Sequence, residues 1–244
     1  MKIIALIPAR YAATRFPFKL MQPLGNKTVI RHTYDNTVAT GLFDEVIVVT
    51  DNELIFNEIV NNGGKAIMSI GSHESGSDRI AEAVKDMDTD VVLNVQGDEP
   101  FIDKKSLEEL VQSFENPSVK VASVMKAFTD LSLVNNPNFV KVVVDKNMNS
   151  LLFSRSPIPY HRESAIQPTY YEHIGVYAFR KEMLLQFTNW EMTSLESVEK
   201  IECLRYLENG IPLKMVLTTH SGVKIDVPED LPKAEAYLAE WNKL

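Results

Sequence analysis

Short, continuous β-branched runs set between helical stretches limit the fold more than any other feature. IIALI (3–7), VIVVT (46–50), AIMSI (66–70) and VVLNV (91–95) are apolar at nearly every position. A strand with one face in water alternates apolar and polar residues. An unbroken apolar run is buried on both faces, as strands of a parallel sheet are. The stretches near 27–40, 52–62, 75–87 and 103–115 read as helices. This alternation predicts right-handed βαβ units and an α/β, doubly wound, mostly parallel sheet.

Past about residue 116 the pattern loosens. VASVMK (121–126), VKVVVD (140–145), IGVYAF (174–179), LKMVL (213–217) and VKIDV (223–227) read as strands without a full helix between the early ones. Residues 155–172, RSPIPYHRESAIQPTYYE, read as a long loop. The region 120–180 is therefore expected to be an insertion with antiparallel elements and a candidate subunit interface. Thr193-x-x-Glu196 forms a capping box that would open a helix to about Asn209, with Gly210 as its stop. Asp226-x-x-Glu229 would open the last helix.

Composition narrows the function. The 244 residues carry a formal net charge of -8, which argues against general nucleic-acid binding. No apolar run approaches the ~20 residues that span a bilayer. The start MKIIALIPAR has only five apolar residues before Pro8, so it reads as a buried strand and not as a signal peptide. Cys203 is the only cysteine, so no disulfide forms within the chain, which fits a reducing cytoplasm.

Against that acidic balance, Lys2, Arg10, Arg15, Lys19, Lys27 and Arg31 all precede the first carboxylate, Asp35. Ligands of open α/β sheets bind beyond the carboxyl ends of the strands. The segment PARYAATRFPFK lies there, after the first strand, and Pro8 and Pro17 stiffen it. One reading is a solvated loop that aids solubility. The other is a polyphosphate site, in which Arg and Lys neutralise phosphate oxygens. No Walker A is present, because Gly71–Gly76 continues into Ser77-Asp78, and no G-x-G-x-x-G follows the first strand. VVLNVQGDEP (91–100) sends Asp98 to the same sheet edge. Asp98 reads either as a turn residue or as a carboxylate that holds Mg²⁺ against substrate phosphates. Asp226, at the end of VKIDV, is a natural second ligand.

In chain order come PAR-Y-x-x-TR-x-P-x-K, SG-x-x-R (75–79), NVQGDEP (94–100), NPN-x-VKVV (136–143), FSR (153–155), HIG-x-Y (173–177) and GVKIDVPEDL (222–231). Together these resemble the 3-deoxy-manno-octulosonate cytidylyltransferase family, the CMP-Kdo synthetases of lipopolysaccharide biosynthesis, over essentially the whole chain. The resemblance implies a single Rossmann-like α/β domain over 1–244, with the insertion at 120–180 giving sugar-site and dimer contacts. It also implies a homodimer, CTP as donor, a 3-deoxy keto-acid sugar as acceptor and Mg²⁺ as cofactor. The sugar's anomeric hydroxyl would attack the α-phosphate in line. By the same resemblance Pro8, Ala9, Arg10, Arg15, Lys19 and Arg79 bind the nucleotide. Asp98 and Asp226 hold the metal, and with Arg10 and Lys19 they form the catalytic set. Gln96, Arg155, His173, Tyr177, Glu202 and Cys203 hold the sugar, with Arg155 on its carboxylate.

Some of these positions have a structural reading too. His173 reads equally as a satisfied core histidine, and Tyr177 as core packing. Glu202 falls between Leu195 and Val198 on a helical wheel, so it is expected to point inward and needs sugar hydroxyls or Arg205 as partner. Three departures stand out. Phe18 replaces a usual Gly, Ala13 a usual Ser, and Cys203 a Gln that follows the late Glu. They open the acceptor to an 8-amino octulosonate or a sialic-acid-type nonulosonate. The alternative of another class is a non-catalytic nucleotide-binding module.

Overall fold

The computed structural model describes residues 1–11, 16–71, 73, 75–163, 165–220 and 222–241. In chain order it contains β1 (Ile3–Ala9), β2 (Pro23–Leu24), β3 (Lys27–Thr28), α1 (Val29–Ala39), β4 (Glu45–Thr50), α2 (Glu53–Val60) and β5 (Ala66–Met68). There follow α3 (Gly76–Val84), β6 (Val91–Asn94), α4 (Lys104–Ser113), β7 (Val121–Ala127), β8 (Lys141–Val144), β9 (Ser150–Ser154) and β10 (Tyr171–Arg180). The chain closes with α5 (Lys181–Phe187), α6 (Ser194–Glu199), α7 (Leu204–Glu208), β11 (Lys214–Thr218) and α8 (Asp230–Trp241). It divides into two compact units, Met1–Lys104 with Ser221–Leu244, and Lys105–His220. No helix among the described residues is long and apolar enough to cross a membrane.

The first unit is the parallel sheet that the early runs predict. β1 lies between β4 and β6, and β5 pairs β4, all parallel. The apolar runs of β1, β4 and β6 are buried as expected: Ala5, Leu6, Ile7, Val48, Val49, Val91, Val92 and Leu93 have no exposed surface. The run at 66–70 is not, because β5 ends at Met68, which is 39% exposed, and Ile70 is 96% exposed. Each crossover helix starts on a side-chain cap. Thr28 accepts the Arg31 amide, Asn52 the Leu54 amide, and Ser75 with Asp78 forms a reciprocal capping box. The C-terminal helix returns to this unit, where Tyr237 and Trp241 pack on Phe101. The carboxyl ends of β6, β1, β4 and β5 therefore form one edge.

In the second unit β7 pairs β10 antiparallel and β11 parallel, and β10, β8 and β9 continue as antiparallel neighbours. The expected antiparallel character of 120–180 is present. Two expectations fail here and two in the first unit. The helix expected over 193–209 breaks into α6 and α7, because Lys200 turns left-handed at φ 53°. Arg155 donates from Nε to the Glu199 carbonyl at 2.7 Å and from Nη2 to the Lys200 carbonyl at 3.3 Å, claiming acceptors that a continuing helix would use. The inward face assigned from the helical wheel consequently does not exist: Val198 is 81% exposed. VKIDV forms no strand, and the last helix begins at Asp230, whose Oδ2 accepts the Asp226 and Val227 amides.

The NPN-x-VKVV motif has a structural explanation. Lys141 is fully buried, and its ammonium donates to the carbonyls of Asn136 at 3.2 Å, Phe139 at 2.8 Å and Arg155. Burial pulls its pKa down, so the charge costs free energy that these bonds must offset. Lys141→Met is expected to lower the unfolding free energy by about 3 kcal/mol, because three carbonyls lose their donor. Urea denaturation measures this, and a loss below about 1 kcal/mol would mean the cost of burying the charge cancels the bonds.

Candidate functional site

A cavity of about 300 Å³ opens at the carboxyl edge of the first unit's sheet, within the range of ligand pockets. Pro8, Ala9, Arg10, Lys19, Gln96 and Asp98 line it together with Arg79 and Asp226. The cationic loop and the QGD turn predicted to share an edge do so. Gly97 is required by close approach, since a Cβ there would sit 3.1 Å from the Pro8 carbonyl and 3.2 Å from Ile30 Cδ1. Thr33 on α1 donates to the Gly97 carbonyl at 2.9 Å, fixing the turn against the helix. The Ile225 amide donates to the Asp98 carbonyl at 3.1 Å, and this bond brings Asp226 to the same place without a strand.

Lys19 bridges the two carboxylates. Its Nζ bonds Asp98 Oδ2 and lies 3.3 Å from Asp226 Oδ1. Lys19 therefore meets the aspartates directly, which the sequence does not reveal. Asp98 is 8% exposed, and its Oδ1 is buried with no hydrogen-bond partner among the described residues. A buried carboxylate oxygen without a donor has the character of a cation ligand. Among the described residues no group of three or more His, Cys, Asp or Glu is arranged around a metal position. Two carboxylates, however, suffice for Mg²⁺, which keeps its waters. Burial raises the neighbouring Glu99 to about 7, aided by the Asp98 and Asp226 charges and opposed by Lys224.

The loop before Lys19 holds Phe18 at φ 59°, ψ 22°, the left-handed shape that the usual Gly would take freely. A residue with a Cβ pays about 1–2 kcal/mol there, against a ring contact with Tyr11 at 4.4 Å. Arg15 and Ala13 lie outside the described residues. Arg79 is buried in the wall, with Nη2 2.7 Å from Asp51 and Nη1 2.7 Å from Ser69 Oγ, so it also ties α3 to the ends of β4 and β5. His73, Ser75 and Gly76 line the cavity as well and were not singled out from sequence. The signal available was the SG-x-x-R segment for Ser75 and Gly76, and the Gly71–Gly76 stretch for His73.

Apart from Gln96, the residues assigned to the sugar lie in the second unit. His173 pairs with Met125 and Tyr177 with Ser123, because β10 carries a register shift between Ile174 and Tyr177. The shift removes one same-face position, and the His173 and Tyr177 rings meet at 5.4 Å. Tyr177 bonds the sulfur of Cys203, which is buried, and that burial pushes the thiol far up. Arg155 spends one donor on each of the Glu199, Lys200 and Pro137 carbonyls, which leaves one N–H on each terminal nitrogen without a partner among the described residues. Arg205 forks onto Glu196 at 2.6 and 2.7 Å, and Glu202 sits in the break before α7, not on a helical face.

The Ser123 hydroxyl donates to the Val176 carbonyl at 2.8 Å, so it accepts from His173 Nε2 at 2.9 Å. Burial lowers His173 to about 3. Below pH 6.5 the unfolded chain takes up a proton that the folded one refuses until about pH 3, so stability falls as pH falls across that window. The expected slope is at most about 1.4 kcal/mol per pH unit. Urea titrations at pH 6.5 and 4.5 should show it, and His173→Asn should flatten it.

Residues 4–220 match the family described as cytidylyltransferase. A 3-deoxy-manno-octulosonate cytidylyltransferase of Flavobacterium johnsoniae is 60% identical over 98% of this chain and all of its own length. The enzyme of the same name from Christiangramia forsetii is 54% identical over 98% of this chain and 97% of its own. A solved CMP:2-keto-3-deoxy-manno-octonic acid synthetase, complexed with CTP, superposes with a TM-score of 0.94 at 34% identity, covering 98% of this chain and 99% of that one.

Proposed function

This chain belongs to the cytidylyltransferase family, and from that premise we infer that it transfers CMP from CTP to the anomeric hydroxyl of 3-deoxy-manno-octulosonate, releasing pyrophosphate. The observation that carries the reading is full-length similarity to enzymes of that name, at 60% identity. The cavity supports it, because one edge of the first unit joins a cationic loop to two carboxylates.

Transfer to a phosphorus centre asks the protein mainly for positioning and charge stabilisation. Arg10 and Lys19 are assigned to the triphosphate, where they spread the charge that develops as pyrophosphate leaves. Asp98 and Asp226 are assigned to Mg²⁺, and the buried Asp98 Oδ1, which has no hydrogen-bond partner among the described residues, supports that assignment. When bound, Mg²⁺ supplies Lewis-acid charge to the phosphate oxygens. Lys19 then has to turn from the carboxylates toward the phosphates. The acidic sugar is assigned to Gln96, Arg155, His173, Tyr177, Glu202 and Cys203, and the two unspent Arg155 N–H groups suit a carboxylate. A homodimer through 120–180 remains part of the proposal.

A pyrophosphate-release assay with each of the four nucleoside triphosphates, Mg²⁺ and a panel of keto-acid sugars tests this. Turnover is expected with CTP and the octulosonate. Release with no pair, or preference for a nonulosonate, would overturn the assignment.

A further inference from the structure

Phe16, Pro17, Phe18 and Lys19 close a turn, in which the Lys19 amide donates to the Phe16 carbonyl at 3.3 Å. Proline sets φ to about −65° at the second position, and Phe18 at the third stands at φ 59°, ψ 22°. This is the shape of a type II turn, whose third position calls for glycine. Phenylalanine there suits a type I turn instead, with φ about −90°. The two forms differ by a half-rotation of the one peptide between Pro17 and Phe18. A Cβ disfavours the left-handed shape about five- to thirtyfold. Sequence and structure therefore disagree at this peptide, and something outside the turn holds it.

Two contacts are in place to do so. The Phe18 ring packs on Tyr11 at 4.4 Å. Lys19, the next residue, is tied to Asp98 and Asp226. Phe16 and Leu20 are buried on either side, while Pro17 and Phe18 are exposed. The peptide between Pro17 and Phe18 can therefore rotate while both buried anchors stay where they are. With the turn as it stands, the Lys19 ammonium fills the place at which two carboxylates would hold a cation.

We propose that the Phe16–Lys19 turn is a two-state latch on the metal position. Its type II form keeps Lys19 on Asp98 and Asp226. When Mg²⁺ and a triphosphate draw Lys19 away, the Pro17–Phe18 peptide rotates to the type I form, and relief of the left-handed shape at Phe18 favours the loaded state. Ligand binds only the released fraction, so whatever favours the type II form weakens binding in proportion. The proposal rests on the cytidylyltransferase reading above and adds to it a self-occupied metal position.

Phe18→Ala and Phe18→Gly test it, because both lose the ring and they differ only in the Cβ that opposes the left-handed shape. In full-length protein with excess Mg²⁺ and no sugar, the calorimetric Kd for CTP is expected to be about tenfold lower in Phe18→Ala than in Phe18→Gly, with unaltered protein between them. At saturation kcat should stay within about threefold in both, since saturated protein is already released. Unaltered protein gives a direct reading through the nuclear Overhauser effect between Pro17 Hα and the Phe18 amide proton, which is strong in a type II turn. It should be strong in ligand-free protein and fade once CTP and Mg²⁺ saturate it. Lys19→Met should weaken it with no ligand present. Equal Kd values in the two Phe18 variants, tighter binding by Phe18→Gly, or an Overhauser effect that Lys19→Met leaves unchanged would overturn the proposal. If unaltered protein binds no nucleotide, the functional reading fails, while the Lys19→Met spectrum still decides whether the lysine holds the turn.

Discussion

Asp98→Asn is expected to lower kcat about a thousandfold, or about 4 kcal/mol of transition-state stabilisation, in a protein that still folds. Asn keeps the shape and one acceptor but not the charge. Asp98 is buried, it shares Lys19 with Asp226, and its second oxygen has no hydrogen-bond partner among the described residues. The turn that carries it rests on Gly97, Thr33 and the Ile225 amide, all of which bond or contact backbone and none of which needs the carboxylate. Steady-state pyrophosphate release, beside a thermal melt, separates the two effects. More than about a tenth of normal turnover in a folded variant would remove Asp98 from the catalytic set.

Lys19→Met separates the role of the lysine from that of the metal. Met has the reach of Lys without the charge. In its absence Asp98 and Asp226 face each other without the ammonium between them. Without divalent ions the variant is therefore expected to lose about 3 kcal/mol of stability, the scale of breaking a largely buried ion pair. Added Mg²⁺ should raise the melting temperature of the variant more than that of the unaltered protein, because in the variant no ammonium has to be displaced and ion binding favours the folded state by mass action. kcat/KM for CTP should also fall about a hundredfold. An identical Mg²⁺ response in both proteins would mean that Lys19 and the ion do not compete for one place.

The parts of the molecule legible in the sequence are those governed by local pattern. IIALI, VIVVT and VVLNV became strands because uninterrupted apolar runs have no wet face to offer, and Thr28, Asn52 and Ser75 start helices because their side chains satisfy orphan amides nearby. The cationic loop was visible as charge placed against the trend of the chain. The failures came where a distant partner overrode the local signal. VKIDV has strand composition, yet Ile225 spends its amide on the Asp98 turn. The stretch 193–209 has a helical pattern, yet Arg155 takes the carbonyls that would carry it past Lys200.

By itself, the sequence determined the parallel sheet, its crossover helices and the basic segment at its carboxyl edge, since each follows from spacing and side-chain chemistry within a few residues. Only the tertiary structure decided that Lys19 spans Asp98 and Asp226 and that the β10 register shift joins His173 to Tyr177. Those outcomes depend on which groups are left unpaired once the backbone has made its bonds, and that is settled across dozens of residues of chain.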